Sequence, residues 1–77
     1  MSSMEKARNA KEHVRNLLHG IVGINGIGIG WTDNGEPCVR VNVVEDIDPR
    51  ERRKIPREAC EVPVQVESIG IIRHEGR

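Results

Sequence analysis

Aromatic side chains are almost missing from this sequence: there is no Phe and no Tyr, and Trp31 is the sole aromatic. Single-strand binders and RNA-recognition sheets stack bases on several aromatic rings, so that mode of nucleic-acid recognition is excluded. A surplus charge is missing too, because 12 Lys and Arg balance 12 Asp and Glu. A neutral chain has no excess of cations to displace counterions from phosphates, which argues against nucleic-acid and anionic-membrane partners. No apolar run approaches the roughly 18 residues of a membrane span, and Met1 to His13 is polar, without a signal-peptide core. The expected location is the cytoplasm. Two cysteines, Cys38 and Cys60, are too few for a disulfide framework and are expected to be free thiols.

What is present is branched and aliphatic. Leu occurs only at Leu17 and Leu18, and Ile and Val supply nearly all the other large apolar side chains. Stiff, β-branched residues fit a pleated sheet best. A chain of 77 residues encodes one small domain, here 1–77 with an ordered core expected over 3–72.

From Ser2 to His19 the apolar residues Met4, Ala7, Ala10, Val14, Leu17 and Leu18 recur at three- and four-residue spacing, which predicts an amphipathic helix. Ser2 and Glu5 have the form of a capping box, and Gly20 supplies the left-handed residue that ends many helices. Ile27, Ile29 and Trp31 then alternate with Gly26, Gly28 and Gly30, so a strand here is apolar on one face and bare on the other. Asp33-Asn34-Gly35 predicts a hairpin with a two-residue connection. Val39, Val41 and Val43 alternate with Cys38, Arg40 and Asn42 as in a half-buried antiparallel strand.

Asp48-Pro49-Arg50-Glu51 reads as the start of a short helix, with Asp48 as cap, Pro49 in the first position and Glu51 closing the box. Pro56 ends it by excluding Ile55 from helical geometry. Val62, Val64 and Val66 predict a third strand whose start Pro63 places at a sheet edge; Ile69 to Ile72 extend it past Gly70, and the tail from His74 to Arg77 is expected to fray.

The expected fold is therefore a two-layer α+β sandwich in the order helix, strand, strand, short helix, strand. The link from Glu45 to Glu61, roughly 17 residues long, suffices for a crossover. That crossover is expected to set the third strand beside the first, leaving the first strand central in a three-stranded mixed sheet. Ile27, Ile29, Val39, Val41, Val43, Val64 and Val66 are expected to face Val14, Leu17 and Leu18 of the one covering helix.

Along the same residues a resemblance is visible. Val22-Gly23-Ile24 with Gly26-Ile27-Gly28-Ile29-Gly30, then Asn34-Gly35-Glu36-Pro37, Val39 to Val44, Ile55-Pro56 and Val62-Pro63-Val64 resemble the small module found ahead of trypsin-like serine peptidase domains in bacterial proteins. The likeness spans about Ala10 to Ile72, most of the chain. It departs where those modules usually carry an acidic residue and glycine before Val-Pro, since Cys60 and Glu61 stand there. What it implies is a fold and a peptidase neighbourhood; the peptidase domain and its catalytic residues have no counterpart here.

The glycines do not form a phosphate loop, which lies between a strand and a following helix, whereas here the helix comes first and a hairpin follows. Gly26, Gly28 and Gly30, with Arg40 and Asn42 on the neighbouring strand, either leave a flat binding shelf on the open sheet face or mark strand twist or a bulge. Arg50, Arg52, Arg53, Lys54 and Arg57 are interleaved with Glu45, Asp46, Asp48, Glu51, Glu58 and Glu61, which predicts a solvated surface laced with ion pairs. His13 and His19 lack metal-ligand spacing. No nucleophile, base and orienting group occur together, so no catalytic residue, metal or cofactor is assigned and no enzyme activity is expected. The reading that follows is a noncatalytic module for self-association or for binding a protein partner, using the glycine-bearing face or an open strand edge. The alternative is a small thiol or metal-binding protein using Cys38 and Cys60.

Overall fold

The computed structural model describes residues 3–69. The predicted capping partner Ser2, the strand extension through Gly70 to Ile72 and the tail with His74 lie outside the described residues. Helix α1 (Ser3–Leu17) forms over the predicted spacing. It buries Ala7, Ala10 and Val14 along one stripe, and Leu18, just past its end, continues that stripe. Leu17, expected in the core, is instead 51% exposed. On a helix of 3.6 residues per turn it lies roughly 60° round from Val14, at the margin of the buried stripe. Gly20 follows with φ +86°.

Strands β1 (Ile24–Trp31) and β2 (Pro37–Val44) form the predicted antiparallel hairpin. Its loop differs from the two-residue expectation. Thr32 N–H donates to Glu36 O at 2.8 Å and Gly35 N–H donates to Thr32 O at 2.9 Å, which leaves three residues in the loop. Of these only Gly35 has positive φ, at +82°, as in a type I turn closed by a left-handed residue. Helix α2 (Pro49–Arg52) starts where predicted, with the Asp48 carboxylate accepting from Arg50 N–H at 2.8 Å. Glu51 does not close a box; its carboxylate pairs with Lys54 at 2.9 Å.

Two further strands follow, β3 (Glu58–Ala59) and β4 (Val62–Ile69). The sheet is thus four-stranded, not three-stranded, in the order β1-β2-β4-β3. Strand β1 is an edge, and the expectation that it is central is corrected. Strand β4 pairs parallel with β2, Val39 opposite Val64 and Val44 opposite Ile69. The side chains explain the choice: Val39, Val41 and Val43 are fully buried on β2, while β1 has glycine at every second position and offers only one apolar face. The strand with more to bury takes the inner place.

Strand β3 escaped prediction because its turn has no sequence signal. Ala59 pairs with Val62 across Cys60-Glu61, and both turn residues have positive φ, 51° and 66°. That is the geometry of a two-residue hairpin normally served by Asn-Gly. Pro63 faces Glu58 of β3 and precedes the first β2 partner, Val64, so its missing N–H takes nothing from the β2 ladder.

The core lies between α1 and one sheet face, where Ala10, Val14 and Leu18 meet Val39, Val41, Val43, Val62 and Val64. Ile47, Ile55 and Ala59 join it from the crossover, and Ile24, Ile27 and Val66 pack at its rim. Ile29, expected inside, is only half-buried.

Two substitutions test this account. Gly23 has φ +105°, and a Cβ there would lie 2.7 Å from Cγ1 of Ile47, so Gly23→Ala is expected to lower stability by at least about 1 kcal/mol. Replacing Cys60 by Asn together with Glu61 by Gly relieves two left-handed side-chain residues and is expected to raise stability by roughly 1 kcal/mol. Urea midpoints with unchanged slope check both.

Candidate functional site

The two faces of the β1–β2 ribbon differ completely. Opposite residues share a face, and the pairs Gly26 with Asn42, Gly28 with Arg40, and Gly30 with Cys38 all lie on the side away from the core valines. The structure therefore brings Gly26, Gly28, Gly30, Arg40 and Asn42 onto one surface, as the alternation predicted. A Cβ at Gly26 or Gly28 would meet nothing within 4 Å. These two positions are open ground.

Gly30 is different. Its Cβ position lies 3.1 Å from Nε and Cζ of Arg40, so the guanidinium group occupies the space that a side chain at Gly30 would take. Arg40 then reaches Glu67 of β4 at 3.8 Å. Both ends of that pair are well exposed, and such pairs contribute about 0–1 kcal/mol. The shelf is thus closed at Gly30 and bare at Gly26 and Gly28. Beside the bare part, the Oδ1 of Asn42 is buried and accepts no hydrogen bond.

Backbone polarity defines a second surface at the same place. The bond from Thr32 N–H to Glu36 O fixes the phase of the antiparallel ladder, in which only alternate residues bond across a given pair of strands. Counting back by twos, Gly30, Gly28 and Gly26 direct their N–H and C=O groups to β2. Ile27, Ile29 and Trp31 direct theirs away, to the side where β1 meets no other strand among the described residues. Trp31 itself is 57% exposed.

The opposite side of the sheet is protected by comparison. Strand β3 spans only Glu58–Ala59, and beyond it the β4 edge carries Glu67, with Arg52 Nη1 donating to Ser68 Oγ at 3.4 Å. Short edge strands and charged side chains are the usual devices against unwanted pairing. Strand β1, Ile-Asn-Gly-Ile-Gly-Ile-Gly-Trp, has neither charge nor proline over 8 residues.

The other candidates separate. Cys38 is buried on β2, Cys60 is exposed in the β3–β4 turn, and both are free. Among the described residues no three His, Cys, Asp or Glu side chains stand close enough to hold a metal ion. Of the crossover cations, Arg50 pairs with Asp48 and Lys54 with Glu51. Arg52, Arg53 and Arg57 instead rim a shallow groove over Ile55, Val64 and Val66, so the expected lacing by ion pairs holds for only part of the run. No helix among the described residues is long and apolar enough to cross a membrane.

Because the space above Gly28 is open, Gly28→Thr is expected to stabilise the fold by up to about 1 kcal/mol, the ordinary gain of a β-branched residue over glycine in a strand; thermal unfolding measures it. Comparison of the chain with family models, curated proteins and solved structures gives no match.

Proposed function

We propose that this chain is a noncatalytic interaction module that joins another protein chain, its own copies included, through strand β1. The observation that carries the reading is the edge of β1, where an uncharged row of Ile27, Ile29 and Trp31 presents backbone donors and acceptors with no strand of the described residues beside them. Such an edge takes up an added strand by main-chain hydrogen bonds, with alternate side chains giving the selectivity. The glycine face helps in a second way, because Gly26 and Gly28 place no side chain in the path of an approaching backbone.

Helix α1 spends its apolar stripe on the core, and the arginine-rimmed groove has no buried polar group at its floor. The resemblance to the module ahead of trypsin-like serine peptidases is compatible with a docking role and contributes no residue to it.

Trp31 is the one aromatic of the chain, so its emission reports on this edge alone. As protein concentration rises, sedimentation is expected to show association, and Trp31 emission is expected to move to shorter wavelength as the ring leaves water. A single species of monomer mass at every concentration, with Trp31 emission unmoved, would remove self-association from the reading.

A further inference from the structure

Resting on the interaction reading above, we infer that the occupant of the β1 edge is β1 of a second copy, paired antiparallel about a two-fold axis through Ile29. The axis follows from the ladder phase. The outward backbone groups belong to Ile27, Ile29 and Trp31, and an antiparallel partner bonds only where outward residues meet outward residues. Centring the pair on Ile29 sets Ile29 against itself and Ile27 against Trp31 of the other copy, twice. All three outward residues of each strand are then used, giving about six main-chain bonds at two per bonded pair.

The competing symmetric register centred on Gly28 sets Ile27 against Ile29 and leaves Trp31 opposite Asn25. The Ile29 register instead brings an aromatic ring against a β-branched side chain, one of the favourable cross-strand combinations. It also covers the side chain of Trp31, which is 57% exposed in the single folded chain. Electrostatics raises no obstacle. Strand β1 carries no charge and the chain has zero formal net charge, so two copies approach without repulsion. In this register Asp33, the first charged residue after the strand, falls opposite Asn25 and not opposite another carboxylate.

The two-fold axis stands perpendicular to the sheet, so the pair is an isologous dimer with both α1 helices on the same face. Its eight strands run β3-β4-β2-β1 and then the same order reversed, and the ends left free are the short, charged β3–β4 sides. On the other face the two glycine stripes adjoin, Gly28 of one copy opposite Gly30 of the other.

A charge exchange at position 29 tests the axis, because only in this register does residue 29 face its own copy. Ile29 is half-buried and outside the main core cluster, so Ile29→Lys and Ile29→Glu are expected to fold, as far-UV circular dichroism checks. Each variant alone is expected to associate at least tenfold more weakly than the parent, and an equimolar mixture is expected to recover a dimer holding one of each. Amide exchange adds an independent readout: association should protect the N–H groups of Ile27, Ile29 and Trp31 and leave those of Gly26, Gly28 and Gly30, already bonded to β2, unchanged. Association without rescue by the mixture, or with protection absent at Ile27, Ile29 and Trp31, overturns the pairing while the interaction reading stands. A parent protein that never associates overturns the pairing and the self-association reading together.

Discussion

Everything in this fold depends on the burial of Val39, Val41 and Val43, three fully buried side chains on one face of one strand. A chain of this size has apolar residues for a single interlayer, and β2 concentrates them. Strands β1 and β4 flank β2 because its valines need neighbours on both sides, and α1 lies over them because its stripe of Ala7, Ala10, Val14 and Leu18 is, among the described residues, the helical surface long and apolar enough to seal the layer. Once that layer is closed, little large apolar side chain remains to seal a second one. The outer face of the ribbon is consequently left to glycine, Cys38, Arg40 and Asn42, with open space only above Gly26 and Gly28.

Strand β1 is the point where this economy bears on the proposed interaction. Its Ile24 and Ile27 contribute to the rim of the core, and its glycines reduce the other face to backbone. An inner strand made this way would leave the interior short of side chains; an edge strand made this way presents a flat ribbon whose outward hydrogen-bonding groups meet no strand among the described residues. Exposed backbone of this kind is ordinarily paired with water, so it costs the isolated fold little. It becomes valuable only when another strand replaces the water over several bonds at once.

Much of the local structure was legible because it rests on side chains close in sequence. The spacing from Ala7 to Leu18 specified α1, the alternation at Ile27 and Val39 specified β1 and β2, and Asp48-Pro49 specified α2. Local misreadings, at the Asp33–Gly35 loop, the Glu51 box and Leu17, left the elements in place; the errors that changed the topology arose where distant parts of the chain compete. Placing β1 at the centre failed because strand order depends on how much each strand buries, and that is decided only when β2 and β4 meet. Strand β3 was invisible because Cys60-Glu61 adopts left-handed geometry without the residues that favour it, held there by the pairing of Ala59 with Val62 and by Lys6 reaching Glu61 at 3.2 Å. The candidate surface was half legible. Periodicity put Gly26, Gly28, Gly30, Arg40 and Asn42 on one face, but the closure of Gly30 by Arg40 is a cross-strand contact that spacing along one strand does not encode.

The two ends of the sheet finally distinguish accident from design in the physical sense. Both β1 and the β3–β4 side are edges, and the same chain treats them differently. On the β4 side the free length is shortened by β3 and carries Glu67, with Arg52 bonded to Ser68; any strand approaching there must displace charged groups from water. On the β1 side, Ile27, Ile29 and Trp31 meet an approaching strand with no charge to desolvate. A small protein that simply tolerated open edges would show no such difference. In the proposed pairing this asymmetry would direct association to one edge and limit growth, because a pair formed through β1 would end on both sides in the protected edge with no free β1 left to extend it.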